Sequence, residues 1–371
     1  LFNETDYRPT RAIIKTEAIR KNAERIMSYL PQTTQLIAVV KSDGYGHGAV
    51  RSALTALEAG ATMLAVATLD EAATIRKYIQ NIDILVLGPS PSSFAAVAAE
   101  LDITLTVTST NWVQRVNEQP LFDKKCKIHV KIDSGMGRIG VRTEQELAQL
   151  LMYIQQSDHL VIDGAFTHFS RADEQDAEPT KKQFQHFTKL IKLFPVKPRL
   201  VHASNSAAAL MFPEYSLDAI RYGISLYGIS PSDIVTENIP FPLHRAMTIE
   251  TELSYVKKMP SGQPISYGGR YTTSEEEWIG TLPIGYADGL KRGLTGQDVL
   301  IGGKRAPIVG TICMDQCMIT LPHAFPEGEK VVVIGKQGDE EIRIEEWANR
   351  LDTIPYEIVV TFSPRIPRIY K

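Results

Sequence analysis

An alternation of short apolar runs with longer amphipathic segments constrains this chain more than any other feature. Between Leu36 and Gly223 the runs "LIAVV", "MLAVA", "ILVLG", "ITLTV", "KIHVKID", "LVIDGAFTHF", "RLVHAS" and "DAIRYG" each read as a strand. The segments between them, such as "DEAATIRKYI" and "TEQELAQLLMYIQQS", space apolar residues at three and four, as helices covering a sheet do. Strands this apolar are buried on both faces, and strict alternation of strand and helix makes the sheet parallel. Eight such units close into a (β/α)8 barrel; a doubly wound open sheet has the same pattern, and only the count of eight favours the barrel.

After "PLHRAMTIETELSYVKKM" the sequence becomes β-branched and aromatic, with turn residues between the runs "PISYGG", "EEWIGTLPIGY", "VLIGGKRAPIVG" and "KVVVIGKQGD". Residues 1–240 are thus expected to form the α/β barrel, and residues 241–371 a mostly-β domain with one helix at "IEEWANRL". The boundary is expected near Pro240 to Arg245, and Tyr7 to Lys15 is a strand candidate that could join the second domain.

Charge narrows the partners. With 40 Lys and Arg against 43 Asp and Glu there is no basic excess of the kind that nucleic acid or an acidic membrane demands, so a small molecule is the expected ligand. No apolar run approaches a membrane span, and "LFNETDYRPT" lacks the parts of a signal peptide, which reads as soluble and cytoplasmic. Cys126, Cys313 and Cys317 are an odd set that suits a reducing compartment, and Cys313 with Cys317 lacks the further ligands of a zinc site, so no metal is expected.

On a barrel, active sites gather at the carboxyl ends of the strands. Lys41 follows the first run, Leu87 closes the third, "SGMGR" ending in Arg138 follows the fifth and His168 ends the sixth; Asn205 and Ser206 follow the seventh, and Arg221 with Gly223 lies at the eighth. A lone lysine at such a rim usually just reaches solvent. In partly desolvated company its amine is more readily neutral and can form a Schiff base with an aldehyde. Gly44, Gly46 and Gly48 allow a sharp turn there, while Tyr45 and His47 are as compatible with packing as with ligand contact. If the aldehyde is pyridoxal phosphate, "NSAAAL" offers a capped helix start and Gly223 and Ile224 further backbone donors for phosphate. Arg221 can only donate, so opposite a pyridine nitrogen it would keep that nitrogen unprotonated.

These residues resemble the bacterial alanine racemase family. The similarity is carried along nearly the whole chain by "AVVKSDGYGHG", "VKIDSGMGRIG", "GAFTHFSRADE", "HASNSAAAL", "IRYGISLYG", "ISYGGRY", "LPIGYADG", "GTICMDQ" and "IPYEIV". The resemblance implies a pyridoxal 5'-phosphate enzyme of fold-type III, with a barrel and a β domain, acting as a homodimer with shared sites. It implies Lys41 as the Schiff-base lysine and one base, and Tyr267, donated by the second subunit, as the base of the opposite face. It further implies Arg138 orienting the substrate carboxylate, Lys131 bracing Arg138 when carbamylated, and a chain from Arg221 through His168 supporting the tyrosine. Tyr45, Ser206, Gly223, Ile224 and Tyr356 look like phosphate contacts and Leu87 a ring contact, with His202 and Asn205 behind them. Met314, beside Cys313 and Asp315, looks like a partner-subunit residue at the carboxylate end, with core filling as the competing reading. Asp173, Tyr286, Arg292 and Ile354 match entrance positions.

Thr311 departs from the family pattern, standing where many members have an arginine at the entrance. The expected activity is interconversion of L- and D-alanine, supplying D-alanine for peptidoglycan. A serine-preferring or broad-specificity racemase is the alternative, and a non-catalytic pyridoxal-phosphate protein would have no use for Tyr267.

Overall fold

The computed structural model describes Tyr7 to Lys371; Leu1 to Asp6, which open the stretch read above for a signal peptide, lie outside the described residues. The chain divides into two units, Ala18–Arg245 and a second made of Ala246–Lys371 with the N-terminal segment up to Glu17.

In the first unit eight parallel strands close into a barrel, in order Gln35–Val39, Met63–Val66, Asp83–Pro89, Ile103–Val107, Cys126–Lys131, Leu160–Phe166, Leu200–His202 and Ala219–Tyr222. Closure is made by Gln35–Val39 pairing in parallel with Ala219–Tyr222. An open sheet would leave those two strands as edges, so the alternative topology is removed. Every residue of Met63–Val66 is buried, as expected of a strand covered on both faces. A fully buried Val, Leu or Ile contributes about 1.5–3 kcal/mol.

Covering helices start where their sequences say they should. Thr68 and Glu71 form a capping box on Leu69–Arg76, and Thr143 with Glu146 does the same for Glu144–Gln155.

Two register slips matter for the site. Ile128 pairs with Ile162 but His129 pairs with Gly164, which makes Asp163 an extra, bulged residue. In the third strand Val86 pairs with Leu105 and Pro89 with Thr106, so Leu87 and Gly88 are thrown out of the ladder at its carboxyl end.

The second unit is a ten-stranded sheet with a separate two-stranded ribbon, Pro264–Ile265 against Tyr271–Thr272. Arg11–Ile14 lies in that sheet, antiparallel to Met247–Glu252 and parallel to Arg368–Tyr370. The helix at Ile344–Arg350 is joined by one not anticipated, Pro355–Thr361. Its signal was Pro355 at the first helical position.

Candidate active site

Lys41 directly follows the first barrel strand and opens a tight turn. The turn is left-handed: φ is 52° at Ser42, 51° at Asp43, 61° at Gly44, 51° at Tyr45 and 78° at Gly46. Glycine supplies only part of it, and the conformation persists because each end is bonded. Glu71 accepts the N–H of Ser42 at 2.7 Å and of Ala67 at 2.8 Å, while Asp43 accepts the N–H of Ala49 at 2.8 Å. His47 is fully buried, its Nδ1–H donating to the carbonyl of Tyr45 at 2.8 Å and its ring stacked 4.4 Å from that of Tyr227. It therefore packs the turn from behind.

Tyr45 turns its hydroxyl toward Gly223, where an added Cβ would lie 2.7 Å from the oxygen, so glycine is required for this approach. Burial pushes the Tyr45 pKa up, which keeps it a phenol and a donor. The N–H of Gly223, anticipated as a free donor, is instead taken by Ser206 Oγ at 2.9 Å, leaving the Ser206 proton to donate onward. Asn205 caps Ser206–Met211 by accepting from Ala208 N at 3.0 Å, and Ile224 begins the turn after Gly223. Tyr45, Ser206 and Gly223 thus form a small polar cradle.

Arg221 is 3 % exposed and almost fully occupied. Its Nη1 donates to His202 Nδ1 at 2.8 Å, and Nη2 donates to the carbonyls of Thr167 and Ala203, each at 2.8 Å, and to His168 Nδ1 at 3.2 Å. Only Nε–H is left without a partner among the described residues. Burial lowers the Arg221 pKa to about 9, with Arg138 adding to the effect, so the group is still a cation at neutral pH. Burial, then Arg221, Arg138, Lys131 and Lys41, hold the His168 pKa well below its ordinary value. Its ring is neutral, with the proton on Nε2.

Lys131 is 2 % exposed, bonded to the Ile132 carbonyl at 2.8 Å and placed over the Phe166 ring at 5.3 Å. Burial, then Arg221, brings its pKa down to about 7, with Asp133 opposing. Arg138 lies exposed in the loop after the same strand. Burial and Arg138 also lower the Lys41 pKa, Glu71 opposing. Lys41, Lys131, Arg138 and Arg221 converge on one barrel mouth, and none has an ion pair with a carboxylate among the described residues. Such a cluster calls for anionic ligands, and a lysine whose amine is easily neutral stands within it.

In the second unit Tyr267 lies on a 3-10 turn, Tyr267–Gly269, and is 74 % exposed. Thr311 Oγ1 donates to the Tyr267 carbonyl at 2.8 Å and Ser266 Oγ donates to the Thr311 carbonyl at 2.6 Å, so Thr311 braces this turn. Cys313 Sγ is 3.5 Å from Ser266 Oγ, and the Cys313 and Met314 carbonyls accept from Tyr286 N and Ala287 N, each at 3.0 Å. Met314 is 53 % exposed, which removes the core-filling reading. Asp315 pairs with Arg365 at 2.7 Å. Tyr286 is 43 % and Ile354 57 % exposed; Arg292 opens a short turn, and Tyr356 sits in the first turn of Pro355–Thr361. Asp173 belongs to the barrel unit, where its carbonyl accepts from Ser232 Oγ at 2.7 Å. Three residues with evident work went unnoticed in the sequence: Glu71, His129 and Asp163.

Comparison with known proteins supplies a family. Residues 14–231 match the family model for the alanine racemase N-terminal domain, and residues 246–370 that for the C-terminal domain. The chain is 45 % identical over 364 residues to alanine racemase of Geobacillus stearothermophilus, covering 98 % of this chain and 94 % of that one. The structure of Bacillus anthracis alanine racemase with bound L-Ala-P superposes with a TM-score of 0.95 at 44 % identity, covering 98 % and 95 %. A histidine racemase of Leuconostoc mesenteroides subsp. sake superposes with a TM-score of 0.93 at 28 % identity, covering 99 % of each chain.

Proposed function

The chain belongs to the alanine racemase family, and on that premise we propose that it interconverts L- and D-alanine with pyridoxal 5'-phosphate and two bases, supplying D-alanine for peptidoglycan. The observation that carries this reading is the barrel mouth, where three basic side chains without carboxylate partners, Lys131, Arg138 and Arg221, gather around Lys41, whose pKa burial lowers. A doubly anionic phosphate and a substrate carboxylate are the charges such a mouth lacks.

The donor set fits the cofactor. Tyr45, Ser206 and the backbone N–H of Ile224 would hold the phosphate, Gly223 leaving room for the approach and lending its N–H to Ser206, with Tyr356 as a further donor; Lys41 would hold the aldehyde carbon and Leu87 would lie against the ring. The unpartnered Nε–H of Arg221 would serve the ring nitrogen, supported by His202, while Asn205 caps the helix that carries Ser206. Bound there, pyridoxal phosphate supplies the electron-withdrawing system that makes the substrate α-proton removable.

Racemisation needs a proton to leave one face and another to arrive on the opposite face. Lys41 serves one face, its neutral form being favoured by burial. Tyr267 of the partner subunit serves the other; its exposure on a braced turn suits presentation to a second copy of the chain in a homodimer. A phenol has an ordinary pKa near ~10, so positive charge from Arg221, relayed through neutral His168, is what makes it a usable base. Arg138 orients the substrate carboxylate by its planar fork. Lys131 is poised, as a buried amine with pKa about 7, to add carbon dioxide and become an anion that pairs with Arg138. On the family resemblance Met314 of the partner subunit, with Cys313 and Asp315 beside it, would line the carboxylate end, and Asp173, Tyr286, Arg292 and Ile354 would match entrance positions.

The test is incubation with each alanine enantiomer in heavy water, following optical rotation and α-deuterium. Racemisation with deuterium entering the product is expected. Absence of exchange sinks the proposal, and faster turnover of serine or histidine redirects it.

A further inference from the structure

Arg221 has no carboxylate beside it, yet a continuous chain of hydrogen bonds leads from it to one. Beyond the 2.8 Å bond to His202 Nδ1, His202 Nε2 lies 3.0 Å from His129 Nδ1, and His129 Nε2 lies 3.1 Å from Asp163 Oδ2. Arg199 closes the far end, donating Nε to Asp163 Oδ1 at 2.7 Å and Nη2 to Oδ2 at 2.8 Å. Arg199 also bonds Asp83 at 2.8 Å, and Lys127 reaches Asp83 at 3.3 Å. Arg199, Asp83 and Lys127 sit at the amino ends of their strands, so the chain runs from the mouth of the barrel to its opposite end.

Both ends fix its direction. A guanidinium only donates and a carboxylate only accepts. His202 Nδ1 must therefore accept, with its proton on Nε2; that proton goes to His129 Nδ1, and His129 holds its own on Nε2 against Asp163. Any other arrangement sets two donors or two lone pairs face to face in a dry interior, at about 1–3 kcal/mol per orphaned group. Both rings are fully buried, and that burial keeps them neutral: it outweighs Asp163 at His129, and at His202 it is reinforced by Arg221. Asp163 stays ionised, because the bonds from His129 and Arg199 more than offset its burial.

The backbone is shaped for this chain. The bulge that makes Asp163 the extra residue of its strand falls beside His129. At the next position, a Cβ on Gly164 would lie 2.5 Å from the His129 ring, so only glycine leaves room for the imidazole in the barrel wall. A core that needed only filling would have no use for a bulge, a glycine and a hydrogen-bonded carboxylate at one ring.

We propose that Asp163 and His129 are positioning residues which, through His202, lock the Arg221 guanidinium so that Nε–H is the one donor it offers a bound ligand. The inference rests on the cofactor role given to Arg221 above, but its first test does not. In protein labelled with 15N-histidine, His202 and His129 are expected as neutral Nε2–H tautomers, with the His202 Nε2 proton correlating with His129 Nδ1. Nδ1–H or protonated rings in the wild type overturn the relay whether or not alanine is racemised.

The second test separates relay from packing. His129→Phe fills the space without hydrogen bonds, and is expected to lower kcat roughly 10- to 100-fold with little change in KM while mixing the His202 tautomers. His129→Gln, which accepts at one atom and donates at another, should recover most of kcat and the single tautomer. Wild-type kcat in a folded Phe variant, or a Gln variant no better than Phe, overturns the positioning role. If the Phe variant does not fold, Asp163→Ala is read the same way: it removes the acceptor for His129, and an unchanged His202 tautomer with unchanged kcat overturns the proposal.

Discussion

The two groups proposed as bases are held in opposite ways. Lys41 stands at the root of a turn whose backbone is tied by Glu71 and Asp43 and backed by buried His47 and Tyr227. Tyr267, itself 74 % exposed, projects from a turn on which Thr311 donates to its carbonyl and Ser266 donates to that of Thr311. One base is finished by its own unit, whereas the other is displayed. Two glycines and a positive-φ serine shape the turn that presents this phenol, as the proposed receipt by a second copy requires.

The largest expected effect breaks the pair. Lys41→Ala and Tyr267→Ala should each lose about 10²–10⁴-fold or more in kcat, the scale of removing a positioned acid or base. If Tyr267 is displayed to a partner, mixing the two inactive proteins must rebuild one intact site per heterodimer. Random exchange makes half the dimers mixed, so about a quarter of wild-type activity should return. Proven subunit exchange with no activity would place both bases in one subunit.

Lys131 tests how completely the barrel half is finished. Its folded pKa of about 7 lies below the ordinary 10.5, so the unfolded chain binds the extra proton between those values and stability should rise with pH across that window. Below about pH 7 the penalty of the buried cation is fully present. In protein stripped of carbon dioxide, Lys131→Met should therefore be more stable at pH 6, by on the order of 1–3 kcal/mol, with the gain fading toward pH 10. Denaturant melts across pH measure this. Addition of 13C-bicarbonate should give a carbamate resonance that Lys131→Met lacks, together with a several-fold rise in kcat/KM; no resonance at any pH from 7 to 9 would leave Arg138 unbraced.

How much of this was legible follows from where each signal resides. Strand ends could be read because an apolar run stops at a polar residue, which placed Lys41, His168, Arg221 and Asn205 before any coordinates. The hand of the turn could not, since its start is tied by the Ser42 N–H to Glu71, far along the chain, and its end by Asp43 to the N–H of Ala49. His129 and Asp163 looked like interruptions inside "KIHVKID" and "LVIDGAF"; only the closed barrel and its bulge bring them together. Thr311 read as a change at the entrance, and its work on the Tyr267 turn depends on a backbone approach that no pattern announces.

Thr311 offers the next, smaller effect on the displayed half. Thr311→Val removes the bond to the Tyr267 carbonyl and keeps the backbone acceptor for Ser266. Loss of one hydrogen bond of about 1 kcal/mol predicts roughly a fivefold fall in kcat, while Thr311→Ser should stay near wild type. Deuterium exchange should fall on the face served by Tyr267 and hold on the face served by Lys41. Equal loss on both faces would mean that the residue supports the fold of the unit rather than the base.

The smallest effects compare the two turns directly. Ser42→Gly relieves a left-handed residue, worth about 1–2 kcal/mol, but adds freedom to the unfolded chain, costing about 0.4–1 kcal/mol; a net stabilisation under about 1 kcal/mol is expected. The Glu71 bond is to backbone N–H and survives, so kcat should hardly move. Gly268→Ala places its Cβ in open space, 4.0 Å from the nearest atom of Arg270, so its cost is backbone alone, at a φ of 73°. The same two terms then act with opposite sign and predict a destabilisation of similar size. Because the Tyr267 turn has few other ties, kcat should fall with stability there, whereas at Ser42 the two should separate. A fall in kcat of equal size at both turns would mean that the Lys41 turn is no more rigidly held than the one that displays Tyr267.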